Sequence, residues 1–349
     1  MTRAAPTPRL GRRALLAAPL ALAAGCSAPG AVSDSADARA NAPLVLRLAH
    51  NLSGTHPTSI AISAFADSVA ELSEGRIRVD IYGSGQLGSE TAVLGQLVQG
   101  IVDITRVGSP GLASHHPGYH TFGLPYVFRS EEQMHSVMDS EQMTEFYRST
   151  EDRGFVGLTH YTSGARSFYT RSTPIRHPED LRGMKIRVQD MRSQTELMEE
   201  LEGAPVVMGF GDTYTALQTG LIDGAESNET VLTDSAHGEV TKVFSRTRHT
   251  IIPDVMLISS TAWKKLAVDD QEIVRQAARQ SSLDHRSAWT EAITAAEEQS
   301  VEMGVEFIDD VDLDAFREAT RPVVDRFAEE HSEVTELLAL IETVNEETP

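Results

Sequence analysis

Apolar positions in the first half of the chain alternate between the period of a strand and the period of a helix. Residues 44–48 form a short apolar run that reads as a strand. Over 58–72, Ala61, Ala64, Phe65, Val69 and Leu72 fall on one helical face at i, i+3, i+4 spacing. Glu74-Gly75 stops that helix, and 76–82 alternates as a strand does. A helix over 89–99, a Gly100 cap and a strand over 102–107 follow. A second set begins after Gly164: strand 184–188, helix 193–201, strand 205–208, and helix 212–218 with Asp212 and Thr213 as N-cap residues and Gly220 as the left-handed stop. Residues 255–259 read as a buried strand. From 269 to 303 there is no glycine and no proline, and the helical pattern persists. At ~1.5 Å per residue such a helix approaches ~50 Å, wider than a small domain of ~30 Å, so it must break or span two domains. Strands alternating with helices give an α/β fold with a parallel or mixed sheet in each unit.

A chain of 349 residues exceeds what one hydrophobic core usually serves, which agrees with two units. The formal charge of −21 includes four arginines in the first thirteen residues, against no acid, so the remainder stands at about −25. Phosphate backbones and anionic lipid surfaces are bound through Lys and Arg, so nucleic acid and peripheral membrane binding are excluded as functions. After Arg12-Arg13 an apolar run over 14–24 is too short to span a bilayer and has the length of a signal-peptide core. It ends in Leu22-Ala23-Ala24-Gly25-Cys26, which resembles a lipobox and marks Cys26, the only cysteine, for lipidation. Residues 1–25 are then a signal peptide, with the Sec and twin-arginine routes both open, and 26–43 a tether rich in Ala, Ser, Pro and Asp.

Gly83-Ser84-Gly85-Gln86-Leu87-Gly88 matches G-x-G-x-x-G between a strand and a helix, the context of a dinucleotide site. Two features oppose that reading. The acid that should bind the ribose belongs at the end of the next strand, whereas Asp103 lies at its start, and the glycines close the second strand-helix unit rather than the first. A tight turn accounts for them. His115, His116 and His120 lack cysteine neighbours and a regular spacing, and read as surface-loop histidines rather than metal ligands. Nothing else points to catalysis, a metal or a cofactor.

Two arginines stand apart. Arg187 sits near the carboxyl end of the strand Lys185-Ile186-Arg187-Val188, where open α/β sheets bind ligands, and Arg166 follows Ser163-Gly164-Ala165 at an expected domain crossing. A guanidinium grips a carboxylate in a fixed two-point geometry. Taken alone, each reads more readily as a solvated or structural arginine, since most arginines are exposed.

Longer motifs decide the matter. Glu74-Gly75-Arg76-Ile77, Ser84-Gly85-Gln86-Leu87-Gly88, Gly123-Leu124-Pro125-Tyr126, the run from Pro178 to Val188 and the run from Tyr214 to Glu226 resemble, in order, the DctP family. These are the solute-binding subunits of tripartite ATP-independent periplasmic (TRAP) transporters, and the resemblance covers about residues 44–316. It implies a two-lobed periplasmic-binding-protein-like fold with a hinge and a long helix across both lobes: lobe I from 44–163 plus 253–292, lobe II from 164–252 plus 293–349. It also implies a monomeric, non-enzymatic protein outside the cytoplasmic membrane, held by its lipid alone, that delivers a small organic acid to a small and a large membrane subunit. By the same resemblance Arg187 pairs with the ligand carboxylate and Arg166 assists. Glu90 meets ligand hydroxyls, Phe210 lines the cleft, and His56 and Asp254 reach it from the first lobe. Ser227 stands where relatives carry asparagine, so Ser227 or Asn228 takes that hydrogen-bonding position.

The expected ligand is a sugar acid such as a hexuronate or aldonate. A long dicarboxylate would want a second cation at the far end of the cleft, whereas Glu90 and Asp254 offer acceptors for hydroxyls. The stretches 163–169 and 253–255 also resemble uronate-binding relatives. A C4-dicarboxylate is the alternative, and an exported nucleotide-dependent oxidoreductase a distant one.

Overall fold

The computed structural model describes residues 43–347. The signal segment, Cys26 and all but the last residue of the tether lie outside the described residues. Eleven strands form two sheets among them. The first has the order β2-β1-β3-β10-β4, built from β1 (Leu44–Ala49), β2 (Ile77–Tyr82), β3 (Ile104–Gly108), β4 (Phe155–Tyr161) and β10 (Asp254–Ser259). The second has the order β11-β9-β5-β8-β6-β7, from β5 (Ala165–Thr170), β6 (Lys185–Val188), β7 (Ala204–Val207), β8 (Gly224–Ser227), β9 (Val243–Ile251) and β11 (Glu306–Ile308). In each sheet parallel strands made by strand-helix-strand crossovers meet antiparallel ones: β10 lies antiparallel between β3 and β4, and β5 antiparallel between β8 and β9.

Alternation along β10 shows why both faces of the first sheet are dry. Val255 and Leu257 enter one core with Phe122 and Leu97, while Met256 and Ile258 enter another with Phe65 and Ile62. The second core is closed by the helix Pro57–Leu72, which buries Ala61, Ile62, Phe65 and Val69. Its start is fixed by Pro57 and by His56, whose Nδ1 accepts the Thr58 N–H at 3.2 Å. Losing a fully buried ring such as Phe65 to alanine costs about 3–5 kcal/mol. The second sheet divides its cores in the same way, with Phe168 on one face and Tyr169 on the other.

The chain crosses between sheets at residues 161–165 and again at 251–254, and a third link is the unbroken helix Val268–Glu302. Val274, Ala277 and Ala278 pack into the first lobe, and Ser281 and Ser282 bond Tyr161 Oη and the His160 carbonyl. Farther along, Glu297 pairs with Arg246 of β9. The expected long helix therefore spans both lobes without breaking. Two expectations are corrected. Asp212 makes no capping bond, because a 3-10 turn over Phe210–Asp212 leads into the helix Thr213–Thr219 and gives Asp212 helical dihedrals. The final helix, Ser332–Glu347, expected in the second lobe, places Leu337 and Ile341 in the first lobe's core beside Tyr119 and Phe122. No helix among the described residues is long and apolar enough to cross a membrane.

Candidate functional site

Between the two sheets lies a cleft of about 1070 Å³, walled from both lobes. The eight residues singled out from the sequence, His56, Glu90, Arg166, Arg187, Phe210, Ser227, Asn228 and Asp254, all line it. Each is delivered by a local feature. Glu90 is the first residue of the helix Glu90–Val98, Asp254 opens β10, Arg166 lies on the crossing strand β5, and Arg187 lies on the buried strand β6.

The electrostatics separate the arginines. Arg187 is 5% exposed and its Nε and Nη2 donate to the Met208 carbonyl at 3.2 and 3.1 Å. No carboxylate pairs with it among the described residues, and burial pulls its pKa below the ordinary arginine value. Phe210 lies 5.8 Å from its guanidinium carbon. Arg166, equally buried, is committed to Glu226 through Nε to Oε2 at 2.5 Å and Nη2 to Oε1 at 3.0 Å. Burial alone would raise the Glu226 pKa, but the Arg166 charge and the His249 contact bring it down to about 2. A buried, unpaired guanidinium is costly unless an anion arrives. Arg187 is thus the group in this cleft whose environment improves most when a carboxylate binds.

A third buried arginine escaped the sequence reading. Arg106 on β3 donates through Nε to Asp254 Oδ2 at 2.7 Å, and through Nη1 to Glu90 Oε2 at 2.7 Å and Asn51 Oδ1 at 3.1 Å. Glu90 Oε1 also accepts the Gly108 N–H at 2.9 Å. Glu90 and Asp254 are therefore held in an ion-paired wall, not presented as isolated acceptors. The signal was available: Arg106 lies near the carboxyl end of the strand 102–107, the same position that flagged Arg187. Glu226 was likewise readable as an acid within the buried run of β8.

The remaining positions divide between framework and cleft. Asn228 Nδ2 donates to the Ser163 carbonyl at 2.8 Å, and its Oδ1 accepts from Thr230 N–H and Oγ1, so this side chain ties β8 to the crossing. Ser227 makes no side-chain bond among the described residues and keeps its hydroxyl toward the cleft. His56 is neutral: burial, then the Arg106 charge, lower its pKa to about 3. The glycine motif makes the tight turn between β2 and the helix Glu90–Val98, with Gly85 and Gly88 at φ of 72° and 121°. A Cβ at Gly83 would lie 3.0 Å from the His50 ring. The three clustered histidines are half-buried in a turn, a loop and a short 3-10 segment: His115 packs edge-on to Phe155, His116 to Phe146, and His120 stacks on His331 at 5.2 Å.

The model of the bacterial extracellular solute-binding protein family 7, DctP, matches residues 48–331. An uncharacterized protein, YiiZ of Salmonella typhimurium, is 38% identical over 283 residues, covering 80% of this chain and 86% of that protein. Among solved structures, a TRAP periplasmic solute-binding protein from Anaerococcus prevotii with bound D-glucuronate superimposes with a TM-score of 0.85 at 35% identity, covering 88% of this chain and 99% of that one. One from a Sulfitobacter species with bound β-D-galacturonate gives 0.82 at 33% identity, covering 86% and 99%.

Proposed function

The chain belongs to the family 7 bacterial extracellular solute-binding proteins, and from that premise we propose that its cleft captures a hexuronate for a TRAP transporter. It is a binding protein rather than an enzyme, and it acts outside the cytoplasmic membrane. The observation that carries the ligand assignment is Arg187: buried, cationic, without an acid partner, and set in a cleft whose opposite wall carries two carboxylates. The hexuronate's carboxylate sits on Arg187 with Phe210 beneath the sugar. Its hydroxyls reach Asp254, Glu90 and Ser227. Arg166, engaged by Glu226, assists by holding β5 and β8 and by its field.

Solved relatives carrying glucuronate or galacturonate support a uronate over a C4-dicarboxylate. So does the absence of a second unpaired cation among the described residues of the cleft. Because the ligand touches both lobes only when they meet, binding shifts the protein toward a closed form, which the two membrane subunits read. Lipidation of Cys26, a monomeric state and the lobe limits 44–163 plus 253–292 and 164–252 plus 293–331 complete the proposal, with the last helix reassigned to the first lobe. Titration calorimetry with glucuronate, galacturonate, an aldonate, succinate and a neutral hexose tests it. Tight succinate binding with no response to any sugar acid would overturn the assignment. Detergent partitioning of Cys26→Ala against wild type tests the anchor, and equal partitioning would remove it.

A further inference from the structure

Six charges, five of them buried and Glu90 half-buried, stand at or beside the cleft, and their arrangement is uneven. Arg166 cancels Glu226 within one ion pair. Arg106 stands between Glu90 and Asp254, two carboxylates to one guanidinium; burial raises the Asp254 pKa and the Arg106 charge opposes that, and with both acids ionised the first-lobe wall keeps one net negative charge. Arg187 keeps one net positive charge on the second-lobe wall. The histidines facing these groups add nothing at neutral pH. His50 and His56, near Arg106, are held to about 4 and about 3 by burial and by the arginine, and His237, near Arg187, to about 4. His249, beside Glu226, is lowered by burial. These six charges sum to zero and are polarised from wall to wall. The acids Asp190 and Asp212 at its rim are exposed to solvent, which screens them.

The hydrogen bonds sharpen the asymmetry. Both Glu90 oxygens are occupied, by Gly108 N–H and by Arg106. Asp254 spends only Oδ2 on Arg106, through both Nε and Nη2, and its Oδ1 accepts no bond among the described residues. Arg106 gives its Nε hydrogen to Asp254 and its Nη1 hydrogens to Asn51 and Glu90, while its Nη2 lies 2.6 Å from Asp254 Oδ2 as an ion-pair contact. This wall therefore presents Asp254 Oδ1 as an unbonded acceptor, beside neutral donors such as Asn51 Nδ2 and His56 Nε2, and no unpaired cation among the described residues. A hydroxyl satisfies that oxygen, because a hydroxyl can donate; an ionised carboxylate cannot.

We propose that the two walls make the cleft selective for the number of charges on its ligand: a sugar acid with one carboxylate is taken, and the corresponding sugar diacid is refused, with Arg106 as the positioning residue that fixes Glu90 and Asp254. This rests on the hexuronate reading and specifies which end of that ligand is discriminated. Galactarate differs from galacturonate in carrying a second carboxylate at C1 in place of the aldehyde; it cannot close the pyranose ring, so the wild-type preference contains ring shape as well as charge, and the charge contribution is read from how far neutralising Asp254 or Glu90 moves the ratio. At an effective dielectric of about 20 and a separation of about 6 Å, one unrelieved like charge lowers affinity on the order of a hundredfold.

The experiment is calorimetry at pH 7.5 with galacturonate and galactarate on the wild type, Asp254→Asn, Glu90→Gln and Arg106→Lys, each checked for folding by its melting curve. The quantity read is the ratio of the two affinities, because both ligands share the Arg187 grip and a general loss of structure weakens both alike. The wild type should favour galacturonate by at least the order of a hundredfold, and Asp254→Asn or Glu90→Gln should narrow that ratio by on the order of a hundredfold by removing the net negative charge. Arg106→Lys, which keeps the charge and loses the fork, should weaken both ligands and preserve the ratio. Should Asp254→Asn fail to fold, Glu90→Gln decides. A wild type that binds both ligands within threefold, or neutralising variants that leave the ratio unmoved, overturns this inference while leaving the hexuronate reading intact. A wild type that binds neither of these nor glucuronate overturns that reading itself.

Discussion

Arg166 holds Glu226 at three points: Nε to Oε2 at 2.5 Å, Nη2 to Oε1 at 3.0 Å and Nη2 to the backbone carbonyl at 2.7 Å. Both residues lie on adjacent antiparallel strands, β5 and β8, whose register pairs Phe168 with Glu226. The contact fastens the strand that crosses between lobes to the centre of the second sheet. It also leaves Arg187 as the cleft's uncommitted charge.

Removing the partner of a buried charge costs more than the pair contributes, so Glu226→Ala should lower the unfolding free energy by about 3–5 kcal/mol. Chemical denaturation checks this. A loss below about 1 kcal/mol would mean that Arg166 finds water or another acceptor.

Arg187→Ala should separate binding from stability. It removes a desolvated charge that has no acid partner, so the melting temperature of the free protein should not fall. Hexuronate affinity should drop by about two to three and a half decades, corresponding to ~3–5 kcal/mol for a ligand carboxylate left buried and unpaired. Unchanged affinity in calorimetry would remove the site.

Acid should destabilise the fold through its buried histidines, which outnumber the buried carboxylates working in the opposite sense, Glu229, raised by burial to about 7, and Asp254. His285 and His56 are held to about 3, and His50 and His135 to about 4, in each case first by burial. In the unfolded chain they titrate near the ordinary 6.5, so between that value and their folded values the unfolded state binds more protons and stability rises with pH. The contribution is complete above pH 6.5 and is lost as pH falls toward 4. Each such histidine adds about 1.4 kcal/mol per pH unit in that window. Melting temperature measured from pH 7.5 to 4.5 should fall steeply, and His285→Gln should flatten the slope by about one proton. A flat profile would contradict the burial of these rings.

The chain has two tryptophans, and they sit differently. Trp263 packs in the first lobe's core under Arg275, 4.5 Å away, whereas Trp289 lies 5.8 Å from the ring of His56 at the cleft. A uronate-induced change in fluorescence should therefore survive Trp263→Phe and vanish in Trp289→Phe. The opposite pattern would place the ligand-linked movement elsewhere.

Gly164, at the first crossing, has φ of 70°, and a Cβ there would lie 3.1 Å from Trp289 Cζ2 and 3.2 Å from Asn228 Cβ. Gly164→Ala should cost about 1–3 kcal/mol in thermal or denaturant unfolding, from left-handed backbone strain and the crowding of that ring. An unchanged midpoint would show that the crossing relaxes freely.

The local elements were readable because their signals are local. The helix expected over 58–72 begins at Pro57, the strand expected over 255–259 begins at Asp254, and the helix expected over 269–303 spans Val268–Glu302. Positions of the site residues followed from the family motifs, but their pairings did not. Arg106 is 148 residues from Asp254, and Arg166 is 60 from Glu226, so nothing in either segment announces the partner. The final helix was misassigned for the same reason: its amphipathic face shows that it packs, and only the fold shows against which core.

The place of β10 in the first sheet bears on how the chain assembles. That sheet is complete only when Asp254–Ser259 slides between β3 and β4, strands that end at residues 108 and 161. A polypeptide emerging from its N-terminus must therefore hold an open gap in its first sheet while almost the whole second lobe is synthesised. Closing contacts so distant along the chain slows folding and prolongs the life of incomplete intermediates. Neither lobe is a separable module, and a fragment cut before residue 254 would expose the unpaired edges of β3 and β4 to aggregation.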